Sequence, residues 1–593
     1  MRFAFLILSI LATPAPALAL AQAPCAEPGA ICLPAVDGTT GVRYDAADPL
    51  GQAGVAVAFA GDLNGDGIDD LAVGEPNAGG GDGGPGAVYL VYGKAGPFGA
   101  RESLVGMPEG VGTRLTPPEG QKGFGTTLAR LGDLDGDGFD DLAIGSFDRA
   151  GGIGRAYVLF GREGGFPPDA SLDDPGIRTL TLSTPTALSY VYLTVATAGD
   201  FNADGRPDLA VGSGHGGAGG EVYVLWGRDV PGGAEPFPEA LTLGAWPASV
   251  GLTLRGGPDQ FVGFSMAGAP VGGGARGFGP GGDANGDGVD DLLIGAPQGS
   301  PAGREGAGRV YLVFGSPDHG LGPRSIDLPA MPLETGVRFD ALEERSSMRP
   351  AFLGDLNGDG LDDFGFFAPA YGPSGSLDGR AWIRFGRAPG DGFWPIEPLW
   401  VPDASRGAEI SANFAGTRYF GSSAAALGDF DGDGLDDALI GAALTSYTDP
   451  WLVQPGRGFI LRGTRSWPAL FDLGGRHDLY IPIDADIRNQ EVGISVSGLS
   501  DFNGDGLADV ALGGQGEPGS GGEPGLAYVV FGGTIPSTCP ADIDRDGALT
   551  VFDFLAFQNL FGDGDLRVDL DGDGELTLFD FLAFQTAFDA GCG

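Results

Sequence analysis

One nine-residue phrase recurs seven times along this 593-residue chain, and it limits the folds open to the chain more than any other feature. Its first copy is Asp62-Leu-Asn64-Gly-Asp66-Gly-Ile68-Asp-Asp70, and the others open at Asp133, Asp200, Asp283, Asp355, Asp429 and Asp501. Successive copies begin 71, 67, 83, 72, 74 and 72 residues apart. A period of this size means a repeat architecture, in which each unit buries apolar surface against the next.

Every unit keeps the same order. A run of small and apolar residues comes first, as in 420–428. The Asp loop follows, then a short apolar run such as Leu71-Ala-Val73-Gly, Leu292-Leu-Ile294-Gly or Ala438-Leu-Ile440-Gly. After a Gly-rich turn comes a third run, for example Ala87-Val-Tyr-Leu-Val-Tyr92-Gly or Arg309-Val-Tyr-Leu-Val-Phe314-Gly. A variable fourth stretch leads to the next unit. Four strands per unit in a ring predict a mainly β fold, a seven-bladed β-propeller of four-stranded antiparallel blades over residues 41–533. The last unit ends at Phe531-Gly532 without a fourth strand, while Gly41-Val-Arg-Tyr-Asp-Ala46 nearly repeats Gly336-Val-Arg-Phe-Asp-Ala341. Residues 41–46 are therefore expected to complete the seventh blade, leaving no long unpaired edge. The long 83-residue interval contains a Gly-rich insertion between Phe261 and Asp283, a candidate ligand contact.

The loops have the chemistry of calcium sites. Calcium takes six to eight oxygen ligands at about 2.3–2.6 Å. Side-chain oxygens at positions one, three, five and nine, with a backbone carbonyl at seven, supply such a set. Hairpin chemistry accounts for the Gly and Asn, but not for Asp at positions one, five and nine in every copy. The candidate ligands are Asp62, Asn64, Asp66, Ile68 and Asp70 in the first copy; Asp133, Asp135, Asp137, Phe139 and Asp141 in the second; and Asp200, Asn202, Asp204, Arg206 and Asp208 in the third. The fourth has Asp283, Asn285, Asp287, Val289 and Asp291; the fifth Asp355, Asn357, Asp359, Leu361 and Asp363. The sixth has Asp429, Asp431, Asp433, Leu435 and Asp437; the seventh Asp501, Asn503, Asp505, Leu507 and Asp509. Pro207 replaces the acid at position eight of the third copy but leaves its ligands intact. Gly67, at position six, permits a sharp turn. The cation is expected to act mainly as a staple for the fold.

Composition agrees with short strands and tight turns: 112 Gly and 45 Pro accompany 42% hydrophobic residues, too apolar a chain for disorder. The formal charge of −46 would repel nucleic acid and anionic lipid, so neither nucleic-acid binding nor membrane insertion is expected. Residues 1–23 have Arg2, an apolar stretch from Phe3 to Leu11 and small-residue cleavage sites, the pattern of a secretory signal peptide. That predicts a secreted, extracellular or cell-surface protein. Four cysteines allow three pairings; Cys25–Cys32, within a 24–40 loop segment, and Cys539–Cys592 are the preferred ones.

After a linker at 534–538 the pattern changes. Residues 539–593 carry two twelve-position loops. One has Asp542, Asp544, Asp546, Ala548, Thr550 and Asp553 at the ligand positions of an EF-hand, and the other has Asp569, Asp571, Asp573, Glu575, Thr577 and Asp580. Each runs into the phrase Phe-Asp-Phe-Leu-Ala-Phe-Gln, 552–558 and 579–585, with the apolar spacing of a short amphipathic helix. Up to nine Ca²⁺ sites follow.

Two resemblances rest on these motifs. The repeats, with Phe124-Gly125, Gly74-Glu75-Pro76 and Gly295-Ala296-Pro297 around the Asp loops, resemble the FG-GAP repeats of the integrin alpha-chain propeller over about 41–533. That resemblance implies Ca²⁺ between the first two strands of blades and a binding or cell-adhesion role. In that family only some blades carry the loop, whereas all seven qualify here. The C-terminal segment is similar to a Cys-flanked dockerin domain, a small α-helical EF-hand-like module. The similarity implies attachment through a cohesin-like or other envelope docking protein, with an unknown protein or glycan ligand on the propeller. Val551-Phe552 and Leu578-Phe579 stand where small hydroxyl residues are common in dockerins.

Catalytic motifs are lacking. The three histidines, His215, His319 and His477, are scattered, and no nucleophile elbow, zinc motif or phosphate loop is present. The chain is expected not to be an enzyme. The alternative is a polysaccharide-active, lyase-like enzyme using Arg206, Arg276 or Arg476 beside calcium, or a non-catalytic component of a polysaccharide-degrading complex.

Overall fold

In the computed structural model, residues 31–532 are described apart from 81–82, 149–150, 189–190, 215–218, 229–236, 259, 268–281, 305, 322–324, 342–347, 370–378, 389–395, 399–402, 413–418, 444–455, 476–478, 486–489 and 517–523; beyond them, 554–555, 557–558, 561 and 577–590 are described. The signal-peptide stretch, the 268–281 part of the insertion and residues 533–550 lie outside these.

The repeats fold as seven sheets, one per unit. In the first blade the strands are Ala56–Gly61, Asp70–Glu75, Ala87–Val91 and Gly112–Thr116, paired antiparallel in that order. The Asp loop joins the first strand to the second. The last blade is completed from the N-terminus, as expected: Gly41–Asp45 pairs antiparallel with Leu526–Val530, Gly41 opposite Val530 and Asp45 opposite Leu526.

Each blade also has a fifth strand, which the repeat pattern did not reveal. It pairs parallel to the fourth and comes from the next blade around the ring. Asp169–Ser171 thus extends the first blade, and Arg101–Ser103 extends the last. Ile31–Cys32 extends the sixth by pairing with Ile483 and Asp484. Cys32 is disulfide-bonded. All seven outer edges are covered in this way. These strands are only two or three residues long, too short for alternation to show in the sequence.

The core is divided among seven clusters, one between each pair of adjacent blades. Second and third strands are covered on both faces, which is why they read as continuous apolar runs. An aromatic residue stands mid-strand in each third strand: Tyr89, Tyr157, Tyr223, Tyr311, Trp382, Phe459 and Tyr528, all buried. The first strands line a central cavity of about 240 Å³ with small residues, among them Ala58, Ala129, Ala196, Ala351 and Ala424. Among the described residues Arg130 is the one charged residue lining it, and its guanidinium is held by Asp69 at 3.2 Å and Asp140 at 2.7 Å.

In the C-terminal segment one helix, α1 (Leu578–Ala590), is described. The duplicated phrases meet at equivalent rings: Phe557 stacks on Phe584 at 4.5 Å and Phe554 meets Phe581 edge-on at 6.4 Å.

Tyr44, on the closing strand, is 1% exposed, and its hydroxyl has no partner. Tyr44→Ala should cost about 3–5 kcal/mol in urea unfolding, whereas Tyr44→Phe should be neutral within about 1 kcal/mol.

Candidate functional site

The ninth-position aspartate braces each loop, and it does so identically in all seven blades. Asp70 has no exposed surface. Its Oδ2 accepts the Leu63 N–H at 3.0 Å, and its Oδ1 accepts the N–H of Gly93, just after the third strand, at 3.0 Å. The same pair of donors serves Asp141 (Leu134 and Gly161), Asp208 (Phe201 and Gly227) and Asp291 (Ala284 and Gly315). It recurs at Asp363 (Leu356 and Gly386), Asp437 (Phe430 and Gly463) and Asp509 (Phe502 and Gly532). The glycine is needed because the chain passes close by: a Cβ at Gly93 would lie 2.2 Å from the Asp69 carbonyl oxygen.

The first-position carboxylate gathers the loop's own amides. Asp62 accepts the N–H groups of Gly65, Asp66 and Gly67 at 2.6, 3.0 and 2.8 Å. Position seven donates its N–H to the fifth-position Oδ1 in every copy, as Ile68 does to Asp66 at 3.0 Å. Gly67 has φ +88° and its six counterparts are likewise positive, which fixes glycine at position six.

Concentrating carboxylates here has an electrostatic cost. Burial raises the pKa of Asp70, Asp141, Asp208, Asp291 and Asp363 well above the ordinary carboxylate range, and neighbouring loop acids add to the rise. Burial pushes Asp437 and Asp509 up to about 7. A bound cation would lower that cost directly.

The donor set fits calcium. Positions one, three, five and nine of each copy offer side-chain oxygens, the hard ligands that calcium takes. Buried Asn285 has an Oδ1 with no hydrogen-bond partner, while its Nδ2 donates to Asp291 Oδ1 at 3.4 Å. In the second and sixth copies three carboxylates come within 4.8 Å of one another: Asp133, Asp135 and Asp141, and Asp429, Asp431 and Asp433.

Position eight proves to have a separate task, unforeseen from the sequence. Its aspartate accepts the first-position N–H of the preceding blade's loop. Asp140 thus receives Asp62 at 3.1 Å, Asp290 receives Asp200 at 2.7 Å and Asp362 receives Asp283 at 3.0 Å. Asp436 receives Asp355 at 2.9 Å, and Asp69 receives Asp501 at 3.3 Å across the ring closure. The two copies without an acid there, Pro207 and Ala508, leave two joints without this bond. At the first of them Arg206 reaches across instead, its Nη1 3.5 Å from Asp133 Oδ2. The signal available in the sequence was the repeated acid pair at positions eight and nine.

The FG-GAP repeat model matches residues 53–91, 124–159, 192–225 and 268–313, the beginnings of the first four blades. Mouse integrin alpha-IIb is 37% identical over 177 residues, 29% of this chain and 15% of that protein. Integrin alpha-4 of Xenopus laevis is 33% identical over 163 residues, 28% of this chain and 14% of its own length. Human phosphatidylinositol-glycan-specific phospholipase D is 32% identical over 213 residues, 34% of this chain and 22% of that protein. The chain thus spans between 14% and 22% of the length of these relatives. The other three blades of the propeller repeat the same brace through Asp363, Asp437 and Asp509.

Of the other candidate residues, Asp542, Asp544, Asp546, Ala548, Thr550, Asp553, Asp569, Asp571, Asp573 and Glu575 lie outside the described residues, as do Arg276, Arg476, His215 and His477. Thr577 and buried Asp580 form the start of α1: Asp580 Oδ2 accepts the Thr577 N–H at 2.6 Å, and Thr577 Oγ1 accepts the Phe579 N–H at 3.1 Å. His319 is packed rather than poised for catalysis. Its ring stacks 4.8 Å from Phe201, its Nε2 lies 2.8 Å from the Phe314 carbonyl, and burial lowers its pKa. Among the described residues, no helix is long and apolar enough to cross a membrane.

Ala508→Asp should supply the missing bond to the sixth loop and raise stability by about 1 kcal/mol, and Asp436→Ala should lower it by about 1–2 kcal/mol. Thermal unfolding at fixed calcium concentration checks both.

Proposed function

We propose that this chain is a secreted, calcium-stapled propeller that acts as an extracellular or cell-surface binding module. The observation that carries the reading is the sevenfold recurrence of a buried ninth-position aspartate inside an oxygen-only donor set, with Asn285 Oδ1 left without a partner. Asp62, Asn64, Asp66 and Asp70, and their counterparts in the other loops, would hold Ca²⁺ with the seventh-position carbonyls. The ion would neutralise carboxylates that burial penalises. Likeness to integrin alpha chains over the FG-GAP blades favours binding of a protein or glycan over catalysis. Arg206, one of the three arginines open to the lyase alternative, is engaged with Asp133.

The C-terminal segment would attach the propeller to an envelope partner of the cohesin type. Supporting this are the paired Phe phrases and the outward-facing Leu578, Phe579 and Leu582 on α1, which are 68%, 66% and 46% exposed. Calcium would be needed there as well, so attachment and folding would share one requirement.

Each site held at a hundred times its Kd contributes about 2.7 kcal/mol. Chelation should therefore lower the Tm by on the order of 10 °C; an unchanged melting curve would refute structural calcium. A chain lacking 539–593 should keep the propeller's circular dichroism and lose envelope attachment in a pull-down, and retained attachment would exclude the docking role.

A further inference from the structure

The seven loops differ in charge at position three. Five have asparagine there (Asn64, Asn202, Asn285, Asn357 and Asn503), and two have aspartate, Asp135 and Asp431. Both aspartates face an arginine. Arg178 Nη1 hydrogen-bonds Asp135 Oδ2 and lies 3.7 Å from Asp137 Oδ2, while its guanidinium rests 4.0 Å above the Phe160 ring. Arg462 Nε lies 3.2 Å from Asp431 Oδ2, and the Asp431 side chain is 1% exposed. Among the described residues, no arginine or lysine pairs with positions one, three, five or nine of the five asparagine loops.

The two arginines arrive by different routes. After the third strand the other six blades have an aromatic ring: Tyr92, Phe160, Trp226, Phe314, Phe385 and Phe531. The sixth blade has Arg462 in that place. The second blade keeps its ring and brings Arg178, from just before the fourth strand, over it. Two unrelated positions thus deliver a guanidinium to the third-position carboxylate, and only in the loops where that carboxylate exists.

The geometry points to two classes of loop. In the five asparagine loops no described guanidinium pairs with a ligand position, although that of Arg465 lies beside Gly358 of the fifth loop, so an external divalent cation meets no paired competitor there. In the loops at 133–141 and 429–437 the chain's own guanidinium neutralises the extra carboxylate, so calcium must displace it and binds there last, at least tenfold more weakly. The guanidinium stays charged at any physiological pH and is tethered beside its acid, which makes it a standing competitor. This inference rests on the calcium reading above.

The test is a calorimetric titration of the full chain, stripped with EGTA, with CaCl₂. Arg178→Gln and Arg462→Gln should each add one tight site to the wild-type count, and each should lower the Tm in EGTA but not in saturating calcium. The double variant Asp135→Asn, Arg178→Gln keeps the local charge balance and imitates an asparagine loop. It should fold as the wild type does in EGTA and still gain one tight site. The C-terminal loops contribute equally to every variant and cancel in the comparison. An unchanged count of tight sites in the folded double variant would overturn the inference. Absence of calcium binding to the wild-type propeller would instead overturn the calcium reading itself.

Discussion

The buried ninth-position carboxylate is the contact on which the rest of the propeller depends. Each one receives an N–H from its own loop and another from the end of the third strand, as Asp70 does from Leu63 and Gly93. It therefore fixes three strands at one end of the blade and sets where the loop's other oxygens stand. Such a group is costly to bury as an anion, and two backbone hydrogen bonds offset only part of that cost. The residue that orders the blade is thus also the one that most favours a nearby cation, so that on the proposed calcium reading folding and metal binding would be parts of one equilibrium.

Around the ring, cohesion comes from neighbours rather than from a common centre. Each apolar cluster is shared by two blades, and the axis is lined by residues as small as Ala196 and Ala424 because seven first strands converge there. Position-eight aspartates add a polar bond at five joints. The closing joint depends on Gly41–Asp45, with Asp69 receiving Asp501 on the loop side. Short parallel strands from adjacent blades then cover every outer edge, which removes the exposed ladders that promote aggregation.

The relatives share segments of the propeller, and their different names show that this scaffold accompanies more than one activity. The loops of this chain are regular. All seven keep aspartate at positions one, five and nine, and where position three becomes acidic an arginine compensates. The departures at Pro207 and Ala508 fall at position eight, where they cost a joint but no oxygen ligand.

Much of this could be read in the sequence, because it repeats at short range. The Asp loops, their glycine at φ +88° and the small, apolar and aromatic runs each encode local geometry, and the period multiplied them into seven blades. The match between 41–46 and 336–341 even located the closing strand. Only the tertiary structure decided what depends on distant partners: the fifth strands, the bond from position eight to the preceding blade and the arginines at Asp135 and Asp431. Asp140 and Asp62 are 78 residues apart, as Arg178 and Asp135 are 43 apart. Such pairs leave no local pattern, since a single charged residue that meets its partner across a blade looks in sequence like any other surface charge.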